Sequence, residues 1–196
     1  MSFELHAVMK AADFAARAHA VQRRNDENRT PYINHLLEVG HLLAEANEPA
    51  LVVVAGILHD TLEDAAVTEG DLISEFGAAV TDIVRACTDD KSLPVDVRKR
   101  QQIEHATTCT DPRVVAVKLA DKTSSMRSMY ATPPDWPFTR AMDYVRWCDL
   151  VVLSFDTSLV NQNLWVQYSF ALRDARRYHS TLIGKEENAS SKKSST

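Results

Sequence analysis

The segment His59-Asp60-Thr61-Leu62-Glu63-Asp64 sets one imidazole and three carboxylates directly after the most hydrophobic run of the chain, Ala50 to Leu58. Burial disfavours such charges, and carboxylates near a helix C-terminus oppose its dipole. A bound cation offsets both penalties. On helical geometry Glu63 lies one turn beyond His59 and Asp60, and Asp64 one turn beyond Asp60. An ion held by His59 and Asp60 would therefore have two further carboxylates beside it, free to act on a coordinated water. Two more candidate ligands stand elsewhere: His35, after TPYIN, and Asp121, at the end of the apolar run VVAVKLA. A mixed nitrogen and carboxylate set with open positions suits Mn²⁺, Fe²⁺ or Zn²⁺, and such an ion generates hydroxide from a bound water. The plainer alternatives are that HDTLED is a solvated turn, and that Asp121 forms a structural ion pair with Lys118 or Lys122.

Helical periodicity dominates the elements that must position these groups. Leu5, Val8, Ala12, Ala15 and Ala16 predict a first helix to about Val21. Gln22 to Pro31 is polar and ends on a proline, so it reads as a loop. Leu36, Val39, Leu43 and Ala46 give a second helix, and Pro49 opens a third that is apolar on all sides and central to the core. Thr68 with Asp71 resembles a capping box, and Gly77 ends that short helix. A helix over Ala78 to Cys87 follows. Pro94 and Pro112 fit first-turn positions, with Ser92 and Asp111 as caps, for helices toward Thr107 and Met129. Tyr130 to Pro137 is a connector, and two helices fill Phe138 to Tyr178 with a break near Asp156 to Ser158. The expected architecture is all-α, one domain over 1–183, with a disordered tail over 184–196 that has almost no apolar content.

Composition sets the outer limits. The 196 residues are 45% hydrophobic and 25% charged, with only 5 Gly and 7 Pro, as in a globular protein with a substantial core. The net charge of −5 argues against a nucleic-acid polymer as partner. Cys87, Cys109 and Cys148 lie far apart, neither a disulfide framework nor a cysteine zinc site, which favours a reducing, intracellular compartment. No run is long enough to cross a bilayer, and MSFELHAVMK lacks the basic patch and apolar stretch of a signal peptide. The cytoplasm is the expected location.

The order His…His-Asp…Asp, with the pair at the end of a core helix, is similar to that of the HD phosphohydrolase superfamily. The resemblance extends to AADFAARAHAVQRRNDENRTPYINH, FGAAV, TDDKSLP with RKR, VKLADK and TRAMDYVRW. Together these resemble the hydrolase domain of the RelA/SpoT proteins and, more narrowly, the stand-alone small alarmone hydrolases of the metazoan SpoT-homologue type, over roughly residues 7 to 170. The resemblance implies a helical HD fold, one Mn²⁺ per site, and removal of the 3′-pyrophosphate from a nucleotide alarmone, (p)ppGpp, by metal-activated water. Carried over by motif, the metal ligands are His35, His59, Asp60 and Asp121, and the acidic pair that handles the water is Glu63 and Asp64. Arg24 would stack on the base, and Arg140 and Tyr144 would hold distal phosphates. Lys91, Arg98, Lys99 and Lys122 are further cations for the phosphates, with a solvated surface role as the alternative for each.

The sequence departs from that pattern at Asn25, where lysine is usual beside the arginine, at Val95, a common lysine, and at Ser125, normally an asparagine. Leu36 also follows His35 where proline is usual. The losses fall in the nucleotide pocket and bring the adenosine counterpart, (p)ppApp, in as a substrate beside the guanosine one. His19 reads as a satisfied core residue, His41 as a weak candidate near the site, and His6, His105 and His179 as surface. Trp136, Trp147 and Trp165 read as packing residues, Trp147 also as a wall of the pocket. The rival functions are another phosphohydrolase on the same fold, such as an NADPH 2′-phosphatase, and an alarmone sensor that binds without cleaving. A homodimer is left open.

Overall fold

The computed structural model describes the backbone of residues 2–193 and the side chains of 4–63 and 65–181. Within them the chain is helical: α1 (Ser2–Ala18), α2 (Ile33–Glu45), α3 (Ala50–Leu58), α4 (Thr61–Asp64), α5 (Glu69–Phe76), α6 (Ala78–Cys87), α7 (Val95–Thr108), α8 (Pro112–Ala131), α9 (Phe138–Leu153) and α10 (Gln162–Lys193), with a short 3₁₀ turn at Thr157–Leu159. Extended pairing among the described residues is limited to two isolated bridges, Arg23 with Pro31 and Asp26 with Pro134.

Two helices form the centre. α3 buries every residue from Val52 to Leu58, as its all-round apolar sequence requires, and packs against α1, α2, α6 and α8. Glycine lets α2 and α3 approach closely: a Cβ at Gly56 would stand 2.2 Å from Leu43 Cδ1, and one at Gly40 2.6 Å from Ile57 Cγ1. α8 is buried over most of its length, including Lys118 and Lys122, and packs against α2, α3, α6, α9 and α10. α7 is tied to α9 by the Trp147 indole, which donates to the Lys99 carbonyl at 3.1 Å.

Local chemistry sets the boundaries. Thr68 and Asp71 form a reciprocal capping box, and Gly77 takes a left-handed φ of 82° between α5 and α6, where a side chain would be strained. Asp111 caps α8, with Pro112 in its first turn. Ser92 does not cap α7: Pro94 is the flanking residue and the helix starts at Val95, while Ser92 turns onto Asp90. α1 ends at Ala18, short of Val21, because His19 and Gln22 begin the turn into the following loop. Residues 184–193, expected as tail, continue α10 along the backbone.

Candidate metal centre and nucleotide pocket

The loop between α1 and α2 is ordered by its own polar groups. Arg24 N–H donates to the Thr30 carbonyl at 2.9 Å, Tyr32 N–H donates to that of Gln22 at 3.1 Å, and Asp26 accepts from the backbone and hydroxyl of Thr30. This brings Arg24 and Asn25 to the mouth of a cavity of about 380 Å³, within the ordinary range of small-molecule sites. His35, one turn after Tyr32, points into the same cavity from α2. His59 and Asp60 reach it from the turn after α3, and Asp121 from the middle of α8.

Four acceptor atoms converge there. His35 Nε2 lies 3.3 Å from Asp121 Oδ1 and 3.9 Å from Asp60 Oδ2. His59 Nε2 lies 3.2 Å from Asp60 Oδ2 and 4.0 Å from Asp121 Oδ1. The other ring nitrogens are spoken for: His59 Nδ1 donates to the Gly56 carbonyl at 2.8 Å, and His35 Nδ1 meets Ser124 Oγ at 2.8 Å. With Nδ1 as donor, each neutral imidazole presents its Nε2 lone pair to two carboxylates. Such a set fits a divalent cation, which replaces the missing protons. The ligand atoms of His35, His59 and Asp121 lie within 4.8 Å of one another, and Asp60 Oδ2, beside both histidines, also accepts the Tyr32 hydroxyl at 2.6 Å.

The electrostatics follow from this crowding. Burial pulls the His35 pKa down, with Asp121 opposing. Burial acts on His59 in the same sense, but the Asp60 carboxylate outweighs it and raises the pKa to about 9. Asp121 would be pushed up by burial, yet Lys122 and the two histidines hold it well below the usual carboxylate range. Both sequence readings of Asp121 thus coexist: Oδ1 faces the histidines, and Oδ2 takes Lys122 Nζ at 3.0 Å.

Glu63, 16% exposed, lines the cavity next to this group. Its Oε2 accepts from Asp89 N–H at 3.1 Å, and Oε1 lies 3.7 Å from Lys91 Nζ and 3.8 Å from Arg98 Nη1. Burial raises its pKa, partly offset by the Asp89 amide. The Asp64 side chain lies outside the described residues. Lys122, Ser125 and Tyr144 all line the cavity. Ser125 bonds the Tyr144 hydroxyl, whose pKa burial raises. Arg140 and Lys91 do not line it: Arg140 stacks on Trp136 at 4.3 Å, and Lys91 Nζ lies 3.7 Å from Glu63 Oε1. Trp147 does wall the cavity, with Lys122 over its ring at 4.5 Å and Lys99 at 5.0 Å. Val95 is exposed at the start of α7, and Leu36 is fully buried core.

Several groups escaped the sequence reading. Tyr32, Lys118, Asp89 and Gln102 line the cavity, and the helical spacing of Tyr32 and His35 was the one local signal for any of them. His19 is buried, with Nδ1 2.5 Å from Gln22 Oε1, but its Nε2 has no hydrogen-bond partner among the described residues, so it is only half satisfied. His179, expected at the surface, is 4% exposed. His41 faces solvent beside Glu45. The cavity thiol Cys87 is pushed up to about 12 by burial, so it stays protonated and is no nucleophile at neutral pH.

An all-α frame that gathers two histidines and two aspartates in this order defines the class: the chain belongs to the HD-domain family, which matches residues 11–143. It is 43% identical over 148 residues to the zebrafish guanosine-3′,5′-bis(diphosphate) 3′-pyrophosphohydrolase MESH1, covering 74% of this chain and 82% of that one. The human protein of the same name is 43% identical over 155 residues, covering 78% and 86%. A solved structure described as "A metazoan ortholog of SpoT hydrolyzes ppGpp and plays a role in starvation responses" superposes with a TM-score of 0.79 at 35% identity, over 85% of this chain and 94% of that one. Among the described residues no helix is long and apolar enough to cross a membrane.

Proposed function

We propose that this chain is a hydrolase that removes the 3′-pyrophosphate of a purine nucleotide alarmone, the guanosine compound or its adenosine counterpart, with Mn²⁺ as the working ion. The observation that carries the reading is one cavity holding the His35–His59–Asp60–Asp121 cluster, the half-buried Glu63 and the cations Arg24, Arg98 and Lys122. The MESH1 relatives, named for the guanosine reaction, support the same substrate class.

His35, His59, Asp60 and Asp121 would hold the ion, which when bound supplies Lewis-acid stabilisation and lowers the pKa of water. Glu63 takes the proton of the attacking water, a role suited to a carboxylate whose basicity burial has raised. The water oxygen attacks the phosphorus attached to the 3′ oxygen. The bond from that phosphorus to the 3′ oxygen breaks, the ribose oxygen gains a proton, and pyrophosphate leaves. Lys122 and Arg98 neutralise phosphate charge, Arg24 faces the base, and Tyr144, bonded to Ser125, reaches the distal phosphates. Asp64 is assigned with Glu63 to positioning the water, and Lys91 and Arg140 to the outer phosphates once a substrate draws them in.

The test is a panel of guanosine and adenosine 3′-pyrophosphates and NADPH, each with Mn²⁺, Mg²⁺ or Zn²⁺, scoring pyrophosphate against orthophosphate. Pyrophosphate from either alarmone, fastest with Mn²⁺, is expected. Orthophosphate from NADPH alone would favour a 2′-phosphatase, and tight binding with no product would favour a sensor.

A further inference from the structure

His59 is oriented by a backbone carbonyl, but its partner His35 is oriented by a chain of side chains that leads out of the cavity. Ser124 on α8 is fully buried; its Oγ lies 2.8 Å from His35 Nδ1 and donates to Glu38 Oε2 at 2.7 Å. Glu38 sits one turn after His35 on α2. Its other oxygen accepts from Arg127 Nη1 at 3.3 Å, and Arg127 Nη2 donates to Gln167 Oε1 on α10 at 3.3 Å. A serine hydroxyl has one proton, and an ionised carboxylate has none. The Ser124 proton therefore goes to Glu38, and Ser124 Oγ must accept from His35. That direction fixes the proton of neutral His35 on Nδ1 and frees Nε2 toward the carboxylates.

We infer that Glu38 is a positioning residue which, acting through Ser124, sets the tautomer and ring orientation of His35 and so tunes the divalent-ion site, with Arg127 clamping it from the α10 side. This rests on the metal reading given above. Partners of this kind outside the ligand set alter metal affinity by about 10- to 100-fold when removed. The relay is serial: among the described residues the hydrogen bonds that join Glu38 to His35 run through the Ser124 hydroxyl.

The test uses Glu38→Gln, Ser124→Ala and the double variant of the full chain, with two readouts. The first is long-range ¹⁵N–¹H NMR of the His35 ring in metal-free protein at pH 8. Wild type should show the Nδ1–H tautomer, and Ser124→Ala a mixture with Nε2–H. The second is the Mn²⁺ dissociation constant by electron paramagnetic resonance. Ser124→Ala should weaken Mn²⁺ by about tenfold or more, Glu38→Gln by several-fold, and Glu38→Gln should add nothing in the Ser124→Ala background. A wild-type His35 protonated on Nε2, or a Glu38→Gln effect equally large with and without Ser124, would overturn the relay. If wild type took no Mn²⁺ the metal reading would fall, and the NMR result alone would still decide the relay. Thermal midpoints within a few degrees of wild type show that the variants are folded.

Discussion

Replacing Gly56 by alanine probes how closely fold and site are linked. The new methyl would stand 2.2 Å from Leu43 Cδ1 and 3.4 Å from Val39 Cγ1, whereas carbon atoms pack best at about 3.5–4.0 Å. Leu43 is fully buried, so its end cannot swing into solvent. Either it moves by roughly 1.5 Å against its neighbours or α2 and α3 separate. Overpacking costs about 1–3 kcal/mol, and a 2.2 Å contact on a side chain that cannot leave the core falls in the upper part of that range, about 2–3 kcal/mol, against a helix-propensity gain near 1 kcal/mol. The net loss is about 1–2 kcal/mol, which in a chain of this size lowers Tm by about 2–8 °C. Gly70→Ala is the control of opposite sign: the site is exposed in α5, with Thr68 Oγ1 3.6 Å away, and Tm should hold or rise. Scanning calorimetry in chelator measures both. Because α2 carries His35 and the Gly56 carbonyl holds His59, Gly56→Ala should also weaken divalent-ion binding, which Gly70→Ala should leave alone. A Gly56→Ala protein melting at or above wild type would refute the packing argument.

Glu63→Gln should lower kcat by about 10²- to 10⁴-fold while changing substrate affinity little; a change confined to KM in steady-state kinetics would remove Glu63 from the chemistry. In the ion-free protein burial raises the Glu63 pKa above the ordinary glutamate range, which a carboxyl-carbon NMR titration of chelator-treated protein would show. The folded-state pKa of His59 is raised to about 9 in the metal-free protein, through Asp60 and against burial. A raised pKa stabilises below the unfolded value of about 6.5 and is lost as pH climbs to about 9. Metal-free Tm should therefore fall across that window. A Tm flat from pH 6.5 to 9, or the same decline in a His59→Gln variant, would count against it.

The parts of the fold that hydrophobic periodicity controls were legible from sequence. α3 is apolar on every side and can only be central, and Thr68, Asp71, Gly77 and Asp111 act as their chemistry dictates. Boundaries next to proline were less so, because Pro94 serves as the flanking residue of α7 and not its first turn. Residue types offered His35, His59, Asp60 and Asp121 as candidates beside plainer structural readings, and the resemblance to the HD family joined them into one ligand set. Their immediate partners were not legible: Ser124 and Glu38 meet through the packing of α2 on α8, and the Tyr32 hydroxyl meets Asp60 from 28 residues away, pairings between distant segments that chain order does not give. His179 shows the same limit: its burial depends on how α10 packs on α8.

The most direct measurement is a Mn²⁺ titration of chelator-stripped protein, following bound ion and pyrophosphate release from guanosine-3′,5′-bis(diphosphate) together, in wild type and in Asp60→Ala. The account predicts that activity rises in step with one ion per chain, and that Asp60→Ala keeps its helices but loses turnover. Full activity in stripped protein, or undiminished turnover by Asp60→Ala, would contradict it.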